Sequence, residues 1–131
     1  MTSKWEKLKI EERLIDILSH AKSYPDGHHF GKPFLTAYQL AIAFSQLHPV
    51  DALSLGFEVG GKGLGIHSSL AQYLARMLST RINAGNIRNV EGRFLSNKFL
   101  GQISFNSGGE VIVSSLTGGQ NQLSMFRFLE E

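Results

Sequence analysis

The side chains able to do chemistry in this 131-residue sequence form three groups, and each suggests a different ligand. Lys62, Arg76, Arg81, Arg88, Arg93 and Lys98 face Glu91 alone across residues 62–98, a local balance of +5 in a chain of net charge +2. Such clustering favours a polyanion, and nucleic acid is the common one. Gln72, Arg76, Thr80 and Asn83 recur within it at helical spacing and carry donors and acceptors that can bond base edges. Lys62, Arg81, Arg88, Arg93 and Lys98 would then meet phosphates. The second group is a glycine-rich run with five glycines in the ten residues 56–65. Gly61, Lys62 and Gly63, followed by Ser68 and Ser69, offer backbone N–H groups, an ammonium and hydroxyls to a phosphate or carboxylate. The run from Gly56 approaches Gly-x-x-x-x-Gly-Lys-Ser/Thr, but Gly63 stands where a magnesium-binding hydroxyl is required, which excludes a nucleotide-hydrolysing loop. The third group is Asp26, His28 and His29, with Lys32 nearby and His67 beside the glycine run. These could hold a metal or supply a general base. No third ligand falls at a diagnostic spacing, and neither His-Glu-x-x-His nor Gly-x-Ser-x-Gly occurs. No metal site and no cofactor are therefore expected, and catalysis ranks behind binding.

Three helices would position these groups. Residues 4–22 place Ile10, Leu14, Ile15, Ile17, Leu18 and Ala21 on one half of a helical circumference, and Tyr24-Pro25-Asp26-Gly27 ends the run. Residues 36–48 open with the capping box Thr36-Ala37-Tyr38-Gln39 and are apolar almost all round, so this helix should be the most buried. Residues 69–84 open with a second box, Ser69 to Gln72, and stop at Gly85. Leu70, Leu74, Met77, Leu78 and Ile82 form the core stripe of that helix. Gln72, Arg76, Ser79, Thr80 and Asn83 form the outer one. Strands are expected at 102–105, 110–116 and 123–129, separated by Asn106-Ser107-Gly108-Gly109 and by Thr117 to Asn121. Residues 86–101 fit either a strand or a short helix. The expected fold is α+β: three N-terminal helices (4–22, 36–48, 69–84) and a C-terminal two- or three-stranded antiparallel sheet in one domain, 1–131.

In element order the chain resembles a winged helix, three helices and then a hairpin. The resemblance implies a third helix in the major groove and a hairpin on the backbone. The long connection between the second and third helices and the extra strand at 123–129 depart from that pattern.

The chain has no cysteine, so disulfides, thiolate zinc sites and cysteine nucleophiles are excluded. No signal-peptide run and no membrane span are legible, and the expected address is cytoplasmic. Charged residues make up 18% of the chain, below the usual quarter, which hints at a surface covered by a partner. Trp5, Leu8, Tyr38, Ile42, Met125, Phe126 and Phe128 are the apolar side chains suited to such contact, the last three on a presumed edge strand. The expected function is a cytoplasmic nucleic-acid-binding module. A non-catalytic protein-interaction subunit, associating with itself as a dimer or with another protein, is the alternative. A phosphate- or metal-dependent enzyme using the glycine run and the loop histidines comes third.

Overall fold

The computed structural model describes residues 3–60, 69–114 and 122–130. The first amphipathic run is two helices, α1 (Lys4–Lys7) and α2 (Ile10–Ser19), separated where Lys9 adopts a left-handed φ of 52°. One helix over 4–22 was the expectation. A continuous helix would set Trp5 and Ile10 about 140° apart around its axis. Both are buried in the same core, and the break is what lets them meet. Ile10, Leu14 and Leu18 are fully buried along α2, and Arg13 forms an ion pair with Asp51.

After a two-residue strand β1 (Leu35–Thr36) comes α3 (Ala37–Leu47), with both halves of its capping box formed. Gln39 N–H donates to Thr36 Oγ1 (3.1 Å) and Thr36 N–H donates to Gln39 Oε1 (2.7 Å). Ala37, Leu40, Ala41, Ile42 and Phe44 are buried, as an all-round apolar helix requires. A helix not expected from the sequence, α4 (Pro49–Leu55), follows directly. Pro49 occupies its first turn, where proline costs no hydrogen bond, and Gly56 closes it at φ 78°. α5 (Leu70–Asn83) is capped by Ser69, whose Oγ accepts from Gln72 N–H (3.1 Å).

The strands are β2 (Val90–Leu95), β3 (Ser104–Ser107), β4 (Glu110–Val113) and β5 (Leu123–Phe128). β3 and β4 form the expected hairpin through Gly108 and Gly109, both at positive φ. The final strand does not extend that hairpin into a meander. It runs antiparallel at the centre of a separate sheet of order β1-β5-β2, with Phe126 opposite both Leu35 and Gly92. The ambiguous stretch 86–101 thus supplies β2.

The main core gathers α1–α5 and the inner face of this sheet around Leu14, Leu18, Leu40, Phe44, Leu74, Leu78, Val90 and Phe126. A smaller cluster of Ile42, Phe105, Ile112 and Leu123 seats the hairpin against α3, with Tyr38 and Phe105 stacked at 5.1 Å. Fully buried Ser114 closes the hairpin's base: its N–H donates to Ile103 O (2.8 Å) and its Oγ accepts from Ile103 N–H (3.0 Å).

Burial raises the Tyr38 phenol above its ordinary value and also raises Tyr73, where the charges of Arg76 and Arg81 pull part of the way back. In the unfolded chain both phenols ionise near pH 10. The neutral forms therefore stabilise the fold fully below about pH 10, and this contribution is lost as pH rises from there through the folded-state values. Urea midpoints are expected to fall steeply in that window, and Tyr38→Phe should flatten the fall.

Candidate nucleic-acid interface

The polar face of α5 is the element the charge pattern singles out. Leu70, Ala71, Leu74 and Leu78 hold the opposite face in the core, which leaves Gln72, Arg76, Ser79, Thr80 and Asn83 exposed in a continuous stripe. Arg76 has no carboxylate partner among the described residues. Beyond the helix, Arg88 is exposed and its Nε donates to Gly85 O (3.3 Å). Lys98 is exposed with its Nζ 5.2 Å from the centre of the Phe99 ring. These three cations have charge to offer a polyanion.

Arg81 and Arg93 are engaged within the chain. Arg81 points away from the stripe: its guanidinium lies 5.4 Å from the Trp5 ring centre and 3.7 Å from Glu11, with Nε buried and without a hydrogen-bond partner among the described residues. Its charge holds α5 to α1 and α2, so the phosphate role read from sequence does not fit its placement. Arg93 lies on β2 and donates to Glu91 Oε2 (2.8 Å), while Glu91 Oε1 accepts from Arg127 Nε (2.6 Å). One carboxylate between two guanidinium groups leaves a single positive charge on the trio. Arg127 also donates to Phe30 O (2.6 Å) and sits over the Phe34 ring, tying the 28–34 loop to the sheet. Nothing in the sequence marked Arg127, because its partners lie 36 and 97 residues away.

A groove of about 230 Å³ opens between α5 and the sheet, lined by Ser79, Ile82, Asn83, Gly92, Arg93 and Phe94. Glycine at residue 92 keeps a side chain out of its floor, where a Cβ would come within 3.2 Å of the Phe126 ring. Phe94 is 67% exposed at its mouth. The volume lies below the roughly 300 Å³ at which drug-sized ligand sites begin, so the groove suits a single ring or side chain. Sequence reasoning placed neither Gly92 nor Phe94 here, since both fell in the stretch of undecided structure.

Of the anion site, Gly61, Lys62, Gly63 and Ser68 lie outside the described residues, as does His67. Ser69 is buried and its hydroxyl is used in capping. The N–H groups of Leu70 and Ala71 donate to Glu58 O (2.6 Å) and Val59 O (3.0 Å). The first turn of α5 is therefore already satisfied by its own chain and has few donors left for a ligand.

The loop histidines stack on each other at 4.1 Å, with Phe30 edge-on to both, and His28 Nδ1 accepts from Phe30 N–H (3.1 Å). Asp26 is exposed, and no group of three or more acidic or imidazole side chains that could hold a metal occurs among the described residues. Trp5, Ile42 and Phe126, read as contact residues, are buried, and β5 is a central strand, so these side chains build the core. Other apolar residues are exposed, among them Leu47, Val50 and Leu53 around α4, Phe94 on β2 and Phe99 beyond it. Among the described residues no helix is long and apolar enough to cross a membrane.

No family model, curated protein or solved structure matches the chain.

Proposed function

We propose that the chain is a cytoplasmic nucleic-acid-binding module that presents the polar stripe of α5 to its ligand. The observation that carries this reading is the exposure of Gln72, Arg76, Thr80 and Asn83 along one helix face, with Arg76 unneutralised among the described residues. Amide, hydroxyl and guanidinium groups on such a stripe can bond base edges, while Arg76, Arg88 and Lys98 approach phosphates. Arg81 takes no part. The cytoplasmic address rests on a cysteine-free chain long enough to bury a core without disulfide staples.

Fluorescence anisotropy with duplex DNA and single-stranded RNA at two salt concentrations tests the proposal. Affinity should fall steeply with salt as counterions return to the phosphates. Arg76→Ala is expected to weaken binding across sequences and to lower the logarithmic salt slope by about one. Arg81→Ala should lower stability and leave that slope unchanged. Absence of salt-sensitive binding to either nucleic acid sinks the reading.

A second reading, a non-catalytic protein-interaction subunit, draws on exposed Leu47, Val50 and Leu53. Apolar side chains grouped on a short helix and its approach are what a partner protein would cover.

A further inference from the structure

The groove between α5 and the sheet is built by strand register. In the antiparallel pairing of β2 with β5, Gly92 lies opposite Phe126 and Phe94 opposite Ser124. Residues two apart on a strand share a face, as do directly opposed ones. These four therefore lie together on the sheet face turned toward α5. The helix reaches Gly92, where a Cβ would stand 3.7 Å from Ile82, but it leaves the Phe94 ring largely uncovered. The result is a slot with an apolar lining from Ile82, Phe94 and Phe126, to which Ser79, Asn83 and Ser124 add hydroxyl and amide side chains. Arg93 borders it too, but its guanidinium is committed to Glu91. Arg76 is not so committed among the described residues. It precedes Ser79 by three positions and Asn83 by seven, spacings that keep all three on one helix face, so the polar stripe of α5 runs into the groove.

We propose that this groove holds one unpaired base of a single-stranded nucleic acid, with a neighbouring phosphate meeting Arg76. The inference rests on the nucleic-acid reading above and narrows it to single strands. A base is a flat ring with two apolar faces and a polar edge. The groove has the volume of a single ring, an aromatic surface to stack on, and amide and hydroxyl groups that donate and accept at an edge. In a duplex the faces of each base are covered by its neighbours and its edge is paired, so a base reaches such a slot only when it is out of the stack. The excess of positive charge along 62–98 favours an anionic strand over a protein side chain of like volume. Just past β2, Phe99 is 96% exposed with Lys98 over its ring, a second bare aromatic beside a cation, the pairing on which single strands stack.

Anisotropy with a single-stranded oligonucleotide and with the duplex of the same sequence tests this. The single strand should bind about tenfold tighter, since only its bases are free to stack. Phe94→Ala should weaken single-strand binding about fivefold or more and leave the salt slope unchanged, because it removes a stacking ring and no charge. Phe94→Trp keeps a ring and should bind as the native chain does. Ser124→Leu fills the groove from the opposite strand and should weaken single-strand binding in the same way, which keeps the test open if Phe94→Ala does not fold. A duplex bound as tightly as the single strand overturns the inference. So does a single-strand affinity that neither Phe94→Ala nor Ser124→Leu changes. In both cases salt-sensitive binding still supports the wider nucleic-acid reading, whereas its absence with either form overturns both.

Discussion

Trp5→Ala is expected to lower the free energy of unfolding by about 3–5 kcal/mol, the usual cost of deleting a large buried aromatic side chain. Trp5 is 2% exposed although it stands fifth in the chain, on a helix of a single turn. Its ring meets Tyr73 edge-on at 6.1 Å, and the Arg81 guanidinium covers it. Alanine would remove both contacts and leave Arg81 without the ring that covers it, its guanidinium 3.7 Å from Glu11. Urea unfolding checks this: the midpoint should drop with the slope unchanged, since the surface exposed on unfolding hardly alters. A loss below about 1 kcal/mol would place Trp5 at the surface, in the contact role that its apolar side chain first suggests.

The second large effect lies beneath the groove. Phe126→Ala should cost about 3–5 kcal/mol, because Phe126 is buried at the centre of the sheet and fills the space under Gly92. Gly92→Ala should cost about 1–3 kcal/mol by itself, as the new methyl group would press on the Phe126 ring from 3.2 Å. The two losses share one cause. In the double variant the added methyl has room, so the combined loss should fall short of the sum by about 0.5–3 kcal/mol. Strictly additive losses in a double-mutant cycle would show that Gly92 and Phe126 do not meet.

Binding and stability are separable on α5. Arg76 and Arg81 are the same residue type on the same helix, five positions apart, and a local reading places both in the nucleic-acid interface, Arg76 at base edges and Arg81 at phosphates. Arg76 stays in the solvent-facing stripe, and Arg81 is drawn onto Trp5 and Glu11. The Arg76→Ala and Arg81→Ala pair therefore tests the interface more sharply than the loss of both charges together would.

The sequence by itself determined the features whose energetics close within a few residues. The capping bonds at Thr36 and Ser69, the buried and exposed stripes of α5 and the glycine turn of the hairpin are all local, and all are present. α4 was legible in principle, from Pro49 at its start and Gly56 at its end, but the neighbouring glycines hid it. The tertiary structure decided the rest. Whether 123–128 joins the hairpin or lies between Leu35–Thr36 and Val90–Leu95 depends on how Phe126 packs against Gly92 and the helices, contacts that no local pattern encodes. The break at Lys9 depends on a core that Trp5 and Ile10 must both reach. The same holds for charge: Glu91, Arg93 and Arg127 become one group only when two strands 36 residues apart are paired. Capping and periodicity act through the chain's own covalent geometry, whereas burial, strand order and ion pairing act through space, and only the folded chain determines which residues are neighbours.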